Sequence, residues 1–155
     1  MNVIFYISIT FLSFLFTECV MWFVHKYIMH GFLWKWHRSH HSMQRRRFEL
    51  NDIFTIILFL ISIATILYSF ELSTEFLLIR FIGLGILIYS VAYFLFHDVI
   101  LHRRISINYI PKIRYMKRLI NAHFIHHSKH TKDGCESFGF LYALKKYDPK
   151  YRKEI

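Results

Sequence analysis

The sequence is poor in the residues that build loops and disulfide-bonded scaffolds. Its 155 residues include only 5 glycines, 2 prolines and 2 cysteines. Cys19 lies in an apolar run and Cys135 in a polar one, so neither a disulfide nor a thiolate metal site is predicted. Acidic residues are also few, at 10 against 20 Lys and Arg. Because 55% of the residues are hydrophobic, soluble, disordered and fibrous classes are all disfavoured. The length leaves room for one domain, residues 1–155.

Three apolar stretches are long enough to cross a bilayer, which takes about 20 residues of helix. They are residues 3–24, 53–70 and 76–96, and their only charges are Glu18 in the first and Arg80 in the third. The first stretch has no basic leader and no small-residue cleavage site, so we expect it to be retained as a span. The sequence therefore predicts an all-α integral membrane protein with three transmembrane helices.

The basic residues predict how these spans are oriented. Six Lys and Arg lie between spans one and two and thirteen follow span three, whereas residues 71–75 contain two acids and no base. The positive-inside rule then makes the C-terminus cytoplasmic and leaves the N-terminus outside. The net charge of +10 is thus a topology signal, and nucleic acid is not an expected partner.

The tail after span three has helical periodicity. Apolar residues recur at spacings of three and four from Ile113 through Met116 and Ile120 to Phe124. This spacing predicts an amphipathic helix, opened by Pro111, that lies along the membrane surface. Gly134 is expected to end this helical stretch.

The histidines form a repeated pattern. Each half of the chain carries His-x4-His followed by His-x2-His-His, while the residues around them are not repeated. The first set is His25, His30, His37, His40 and His41, and the second set is His97, His102, His123, His126 and His127. Because residues three and four apart share a helix face, each triplet would point one way.

The His-x4-His pairs need more than a regular helix. Residues five apart lie about 140° apart around an α-helix, so a helix end or a bend is required before both members reach one metal. Gly31 follows His30 and could supply such an end. Arg103 and Arg104 follow His102, so the corresponding device is not evident there.

The predicted topology brings both sets to the cytoplasmic face as a His-rich helical cap. Ten neutral imidazoles are too many for one metal ion, and two ions with about five nitrogen ligands each fit the count. Imidazole suits zinc, copper, iron and nickel, so the ligand type leaves the metal open. His130 continues the face of His126 and His127 but has no counterpart after His41, so it is either a further ligand, a residue that supports a ligand or a solvated side chain.

A few other residues are candidates for a role at the site. Glu18 lies two turns before His25 inside a span, where a carboxylate is either functional or neutralised, with Arg80 as the possible partner. Asp98 could orient the imidazole of His97 or be solvated. Four aromatic residues are expected to form an interfacial belt rather than a substrate stack: Trp22, Tyr27, Trp34 and Trp36.

The histidine groups resemble those of the membrane fatty acid hydroxylase and sterol desaturase superfamily, and the match is closest to the bacterial β-carotene 3-hydroxylases. The resemblance rests on residues 25–41, 96–103 and 122–127, and on Ser-Phe-Gly-Phe-Leu-Tyr at 137–142. The histidine array is specific for the superfamily. The 137–142 motif and the compact length point to carotenoids.

This resemblance implies a non-haem di-iron centre, with the ten motif histidines as ligands and zinc as an adventitious substitute. With O₂ as co-substrate, it would hydroxylate carbon 3 of the β-ionone ring, taking β-carotene through β-cryptoxanthin to zeaxanthin. A ferredoxin-type donor with its reductase is implied, because the chain has no Gly-rich phosphate loop. The bacterial inner membrane is the implied location. Such enzymes are commonly drawn with four spans, and a fourth would require dividing the first or last apolar segment.

Two other hypotheses remain open. A related lipid oxygenase could act on a fatty acyl chain or a sterol, or as a carotenoid ketolase. From a different class, the chain could be a metal-binding or metal-transport membrane protein. A transporter places its ligands near the bilayer midplane, whereas these histidines gather at one end of the spans.

Overall fold

The computed structural model describes residues 2–42, 48–71 and 76–150. Residues 43–47 and 151–155 lie outside this description, and with them five of the basic residues used to orient the spans. Residues 72–75, most of the acidic connection between spans two and three, also lie outside it. Helix is the only regular secondary structure in the part that is described.

The described residues form five α-helices and two π-helical segments. The first span is α1 (Val3–Phe23), which continues without a break into a π-helical segment, π1 (Val24–Phe32). The short α2 (Trp34–His37) and the second span α3 (Asp52–Glu71) follow. The third span is α4 (Leu77–Tyr93), which continues into π2 (Phe94–Leu101). Helix α5 (Arg114–His127) and a 3₁₀ turn (Lys145–Tyr147) complete the chain.

Three helices are long and apolar enough to cross a membrane, which confirms the predicted number among the described residues. They are Val3–Phe32, Asp52–Glu71 and Leu77–Leu101. Large apolar side chains on them face outward; Phe16 is 70% exposed and Phe70 is 61% exposed. Such a surface suits lipid, where helices are favoured because they satisfy every backbone polar group internally.

Helix α4 packs between α1 and α3 and depends on two glycines for close approach. A Cβ atom at Gly85 would lie 2.4 Å from the carbonyl oxygen of Thr10 on α1. A Cβ atom at Gly83 would lie 2.8 Å from Cγ1 of Ile66 on α3. Without a strong hydrophobic drive between helices in lipid, packing of this kind holds the spans together.

Helix α5 forms the cap by packing on π2 and on the C-terminal segment. Leu119 and Ala122 are buried in a cluster with Phe96 and Leu101 of π2 and with Tyr147. Of the four residues expected to face the membrane, Met116 and Ile120 pack against this cluster. Ile113 and Phe124 are exposed.

The predicted end of this helix was wrong. Helix α5 ends at His127, and the amide of Ser128 donates to the carbonyl of Phe124 as the last helical bond. Gly134 has φ +79° and lies in the loop that follows. Its left-handed conformation turns this loop rather than closing the helix.

Gly85→Ala should destabilise the protein, because the new methyl group must displace a backbone oxygen of α1. Overpacking of this kind costs about 1–3 kcal/mol, so we expect a lower midpoint of thermal unfolding in detergent. Val91→Ala, on the exposed side of the same helix, is the control and should leave the midpoint nearly unchanged. An unchanged midpoint for Gly85→Ala would contradict this account of the α1–α4 contact.

Candidate metal centre

The two His-x4-His pairs lie on π-helical turns, which bring residues five apart onto one side. A π-helix closes on hydrogen bonds between residues i and i+5. The amide of Leu33 donates to the carbonyl of Ile28, and the amide of His102 donates to that of His97, both at 3.0 Å. The rings of His97 and His102 are therefore neighbours, with centroids 4.7 Å apart.

The breaks after these pairs differ between the two halves. Gly31 leaves the helical region with φ −101° and ψ −121°, as the sequence predicted. After His102, Arg103 itself takes the left-handed conformation with φ +49° and ends the segment without a glycine. The expected bend is present in both halves, but widened turns rather than the bend bring each pair together.

The ten motif histidines form two groups, and within each the candidate ligand atoms lie within 4.8 Å of one another. The first group is His25, His30, His37, His41 and His126, and the second group is His40, His97, His102, His123 and His127. The middle histidine of each triplet, His40 or His126, crosses to the group of the other half. The groups are adjacent, because the rings of His41 and His127 stack with centroids 4.4 Å apart.

In the first group, every Nδ1 contacts an uncharged acceptor. Four of these acceptors are backbone carbonyls of the loop at 129–138, which wraps around the group. The pairs are His41 with Lys129 at 2.8 Å, His30 with Lys132 at 3.0 Å, His126 with Glu136 at 2.8 Å and His25 with Phe138 at 2.7 Å. The fifth is His37, whose Nδ1 lies 2.6 Å from the side-chain oxygen of Asn51.

In the second group, two imidazoles contact carboxylates. Nδ1 of His40 lies 3.1 Å from Glu49, and Nδ1 of His97 lies 3.3 Å from Asp98. The guanidinium of Arg104 holds both acids, at 3.3 Å from Glu49 and 3.2 Å from Asp98. Asp98 therefore sits where the sequence suggested, beside a candidate ligand and not in solvent.

Four candidate ligands outside the membrane spans are kept neutral by burial. Burial lowers the pKa of His41 to about 4, against an ordinary value of 6.5. Burial, reinforced by neighbouring imidazoles, also lowers the pKa well below that value at His37, His40 and His123. Neutral imidazoles are the form that binds metal.

The hydrogen-bond pattern leaves both groups needing a cation. A carbonyl oxygen can only accept, so Nδ1 of His30 and Nδ1 of His126 each carry the proton and each Nε2 presents a lone pair. These two Nε2 atoms lie 3.2 Å apart with no proton between them. In the second group, Nε2 of His127 is buried without a hydrogen-bond partner. Metal ions at the two centres would accept these lone pairs, so the residues fit two metals.

His130 and the predicted aromatic belt have other surroundings. His130 is exposed, belongs to neither group, and its Nδ1 lies 2.7 Å from the carbonyl oxygen of His41. Trp34 packs on the rings of His30 and His41, at centroid distances of 5.2 and 5.3 Å. Trp34 is therefore part of the first group's surroundings, while Trp22 lies in the last turn of α1.

Glu18 links the C-terminal segment to the spans instead of pairing with Arg80. Its carboxylate accepts hydrogen bonds from the amides of Phe140 at 3.0 Å and Leu141 at 2.9 Å, and from the hydroxyl of Tyr89 at 2.7 Å. A Cβ atom at Gly139 would lie 2.6 Å from this carboxylate, so glycine permits the approach.

Arg80 has different partners in the third span. Its Nε donates to the hydroxyl of Ser69 at 3.2 Å, and its guanidinium lies 3.7 Å from the ring centroid of Phe70. The sequence-based alternative of a Glu18–Arg80 pair is therefore wrong.

Sequence reasoning missed the residues that support the imidazoles. Glu49, Asn51 and Asp52 follow the first histidine triplet in a chain with only 10 acidic residues. Their position beside the triplet was an available signal for Glu49 and Asp52. The carbonyls of the 129–138 loop carried no signal, because every residue has one.

The fold and the site define an integral-membrane protein with two adjacent all-histidine sites that could hold metal. The chain belongs to the fatty acid hydroxylase family, whose model matches residues 10–147. It is 41% identical over 140 residues to the β-carotene hydroxylase of Pseudescherichia vulneris, covering 90% of this chain and 78% of the relative. It is 39% identical to that of Paracoccus sp. (strain PC1), covering 81% and 76%. A chloroplastic β-carotene hydroxylase 2 of Capsicum annuum is 36% identical over 68% of this chain and 34% of the relative. No solved structure matches significantly.

Glu18→Ala should release the C-terminal segment, because the backbone amides of Phe140 and Leu141 lose their acceptor. We expect faster hydrogen exchange at Phe140 and Leu141 than in the unaltered protein. Glu18→Gln keeps an acceptor oxygen and is the matched control, with slow exchange retained. Equally slow exchange in Glu18→Ala would show that other contacts hold this segment.

The metal-free protein should lose stability as the pH falls below about 6.5. In this range the histidines of the unfolded chain take up protons, whereas the buried imidazoles of the folded protein stay neutral. Since the folded pKa values are lowered, this stability is fully present above the unfolded pKa. The thermal unfolding midpoint of apoprotein should therefore fall steadily between about pH 7 and pH 5. A flat profile over this range would contradict burial of neutral imidazoles.

Proposed function

We propose that this chain is a di-iron monooxygenase that hydroxylates carbon 3 of the β-ionone ring, converting β-carotene through β-cryptoxanthin to zeaxanthin. The observation that carries the proposal is the convergence of two five-histidine groups at one end of three membrane-spanning helices. Similarity to bacterial proteins named β-carotene hydroxylases supports the reaction and the substrate.

The reaction class selects the metal. Imidazole accommodates several first-row metals, but no amino-acid side chain can abstract hydrogen from an unactivated C–H bond. Zinc is redox-inert and would be an adventitious substitute, while membership of the fatty acid hydroxylase family favours iron. When bound, two iron ions would supply the chemistry that activates O₂.

The protein's own residues would bind the metals, orient the ligands and exclude water. The Nε2 atoms of the ten motif histidines would be the ligands, and the hydrogen bonds at Nδ1 fix the tautomers and ring orientations in most of them. Phe138 packs on the rings of His25, His30 and His126 at centroid distances of 5.2–5.4 Å. Trp34 covers another side of the same group. These aromatic rings keep the first group dry.

A lipid-soluble substrate would reach the first group through a cleft beside the cytoplasmic end of α1. This cleft has a volume of about 740 Å³ and lies between α1 and residues 136–147, with Trp22, Phe23, Phe138 and Tyr142 in its lining. A second apolar groove, about 450 Å³, lies between α1 and α4 and includes Phe14. Phe14 is eleven residues before His25, roughly 16 Å along a helix, so the groove could hold the hydrocarbon chain rather than the reacting ring.

Each turnover needs two electrons from outside the chain. A ferredoxin-type donor with its reductase would supply them at the cytoplasmic face. Exposed basic side chains on the cap, including Arg103, Lys112 and Lys117, would attract an acidic donor. The proposal therefore has the N-terminus outside and the histidine groups inside, which the same distribution of charge supports, in a bacterial inner membrane.

Expression in cells that accumulate β-carotene tests the proposal. We expect pigments that have gained one and two hydroxyl groups, and purified protein that holds about two iron ions per chain. His126→Ala should abolish the hydroxylated pigments and lower the bound iron to about one ion per chain, because it removes a candidate ligand of the first group. His130→Ala is the matched histidine control and should retain iron and product.

Three outcomes would redirect the assignment. Unaltered β-carotene with hydroxylated fatty acyl chains or sterols would identify a different lipid oxygenase. Keto products would identify a carotenoid ketolase. Iron-loaded, membrane-inserted protein that has a working donor and oxidises no lipid would overturn the enzymatic proposal.

A further inference from the structure

The two groups have equal numbers of imidazoles but unequal electrostatic surroundings. All five Nδ1 partners of the first group are uncharged oxygens, four of them backbone carbonyls. The four charged side chains of the surrounding loop are exposed: Lys129, Lys132, Asp133 and Glu136. The second group instead has the carboxylates of Glu49 and Asp98 on two of its rings.

Arg104 makes this carboxylate arrangement possible. Its three nitrogens contact three acids: Glu49, Asp98 and also Asp52, at 2.6 Å. Its backbone amide donates to the carbonyl of Asp98 at 3.0 Å, which holds this residue close to the end of π2. One guanidinium thus contacts three carboxylates, two of which also contact imidazoles of the second group.

When a carboxylate accepts a hydrogen bond from Nδ1–H, Nε2 of the same imidazole becomes a stronger electron-pair donor to a metal ion. The negative charge of the carboxylate also attracts the cation. A neutral carbonyl orients the ring but adds no charge. On this basis we propose that the second group binds iron(II) more tightly than the first, and that Arg104 is the positioning residue responsible. The inference rests on the proposed function only in taking iron as the metal.

The size of the difference follows from how such partners behave. Loss of a residue that hydrogen-bonds a metal-binding histidine typically costs 10–100-fold in metal affinity. We therefore expect two iron(II) affinities in the unaltered protein, separated by at least about tenfold. Both can be measured without O₂, carotenoid or electron donor, by anaerobic titration of apoprotein against a competing chelator.

Variants assign each affinity to its group. Asp98→Asn should weaken the tighter site about tenfold and leave the weaker one unchanged. Arg104→Gln should also weaken the tighter site, by releasing the carboxylate of Asp98 from its position beside His97. Arg103→Gln removes the same charge from an exposed neighbour and is the matched control, with both affinities retained. Glu49→Gln replaces Asp98→Asn if that variant fails to fold.

The opposite change can be made at the first group. Asn51→Asp places a carboxylate on Nδ1 of His37, so it should strengthen the weaker site and narrow the gap. Equal affinities in the unaltered protein would overturn the proposal, and so would an Asp98→Asn variant that weakens both sites alike. Zeaxanthin formation with equal affinities would leave the proposed function intact. Unequal affinities without hydroxylation would overturn the function alone.

Discussion

The arrangement of the two histidine groups depends on the hydrogen bonds at Nδ1 of the histidine rings. A neutral imidazole has one N–H and one lone pair, so fixing the proton at Nδ1 commits Nε2 to the interior. Nε2 atoms about 3 Å apart, such as those of His30 and His126, repel one another unless a cation lies between them. The loop at 129–138 turns its backbone carbonyls toward the first group and supplies the acceptors for Nδ1.

The same requirement, that buried polar groups have hydrogen-bond partners, joins the spans to the cap. Glu18 accepts hydrogen bonds from two amides of the C-terminal segment and from the hydroxyl of Tyr89. One carboxylate therefore connects α1, α4 and the cap. That segment presents the carbonyl of Phe138 to His25. A charge inside a span is costly, and here three hydrogen bonds offset that cost while aligning a candidate ligand.

Much of the fold and of the candidate site could be predicted from the sequence, because many of their features depend on local sequence. Features that depend on contacts between distant residues could not be predicted in this way. Span length and histidine spacing are local properties, so the three spans and the ten histidines could be read directly. The crossing of His40 and His126 could not, because spacings of three and four put a whole triplet on one face and say nothing about which neighbour each ring meets. The i+5 pairs indicated a local distortion, but the choice between a bend and a π-helix depends on packing around it.

The repeated ligands and the unrepeated surroundings have different consequences for each group. The first group takes four of its five acceptors from backbone, so side-chain substitutions in the loop leave its partners in place unless they move the chain. The second group takes charged acceptors from side chains that converge on Arg104, so single substitutions alter its electrostatics directly. The first group also lies behind Phe138 at the apolar cleft. The first group, which lies nearest the proposed substrate path, is thus oriented by hydrogen bonds to uncharged acceptors. In the second group, the charge of the acceptors would also act on a bound metal.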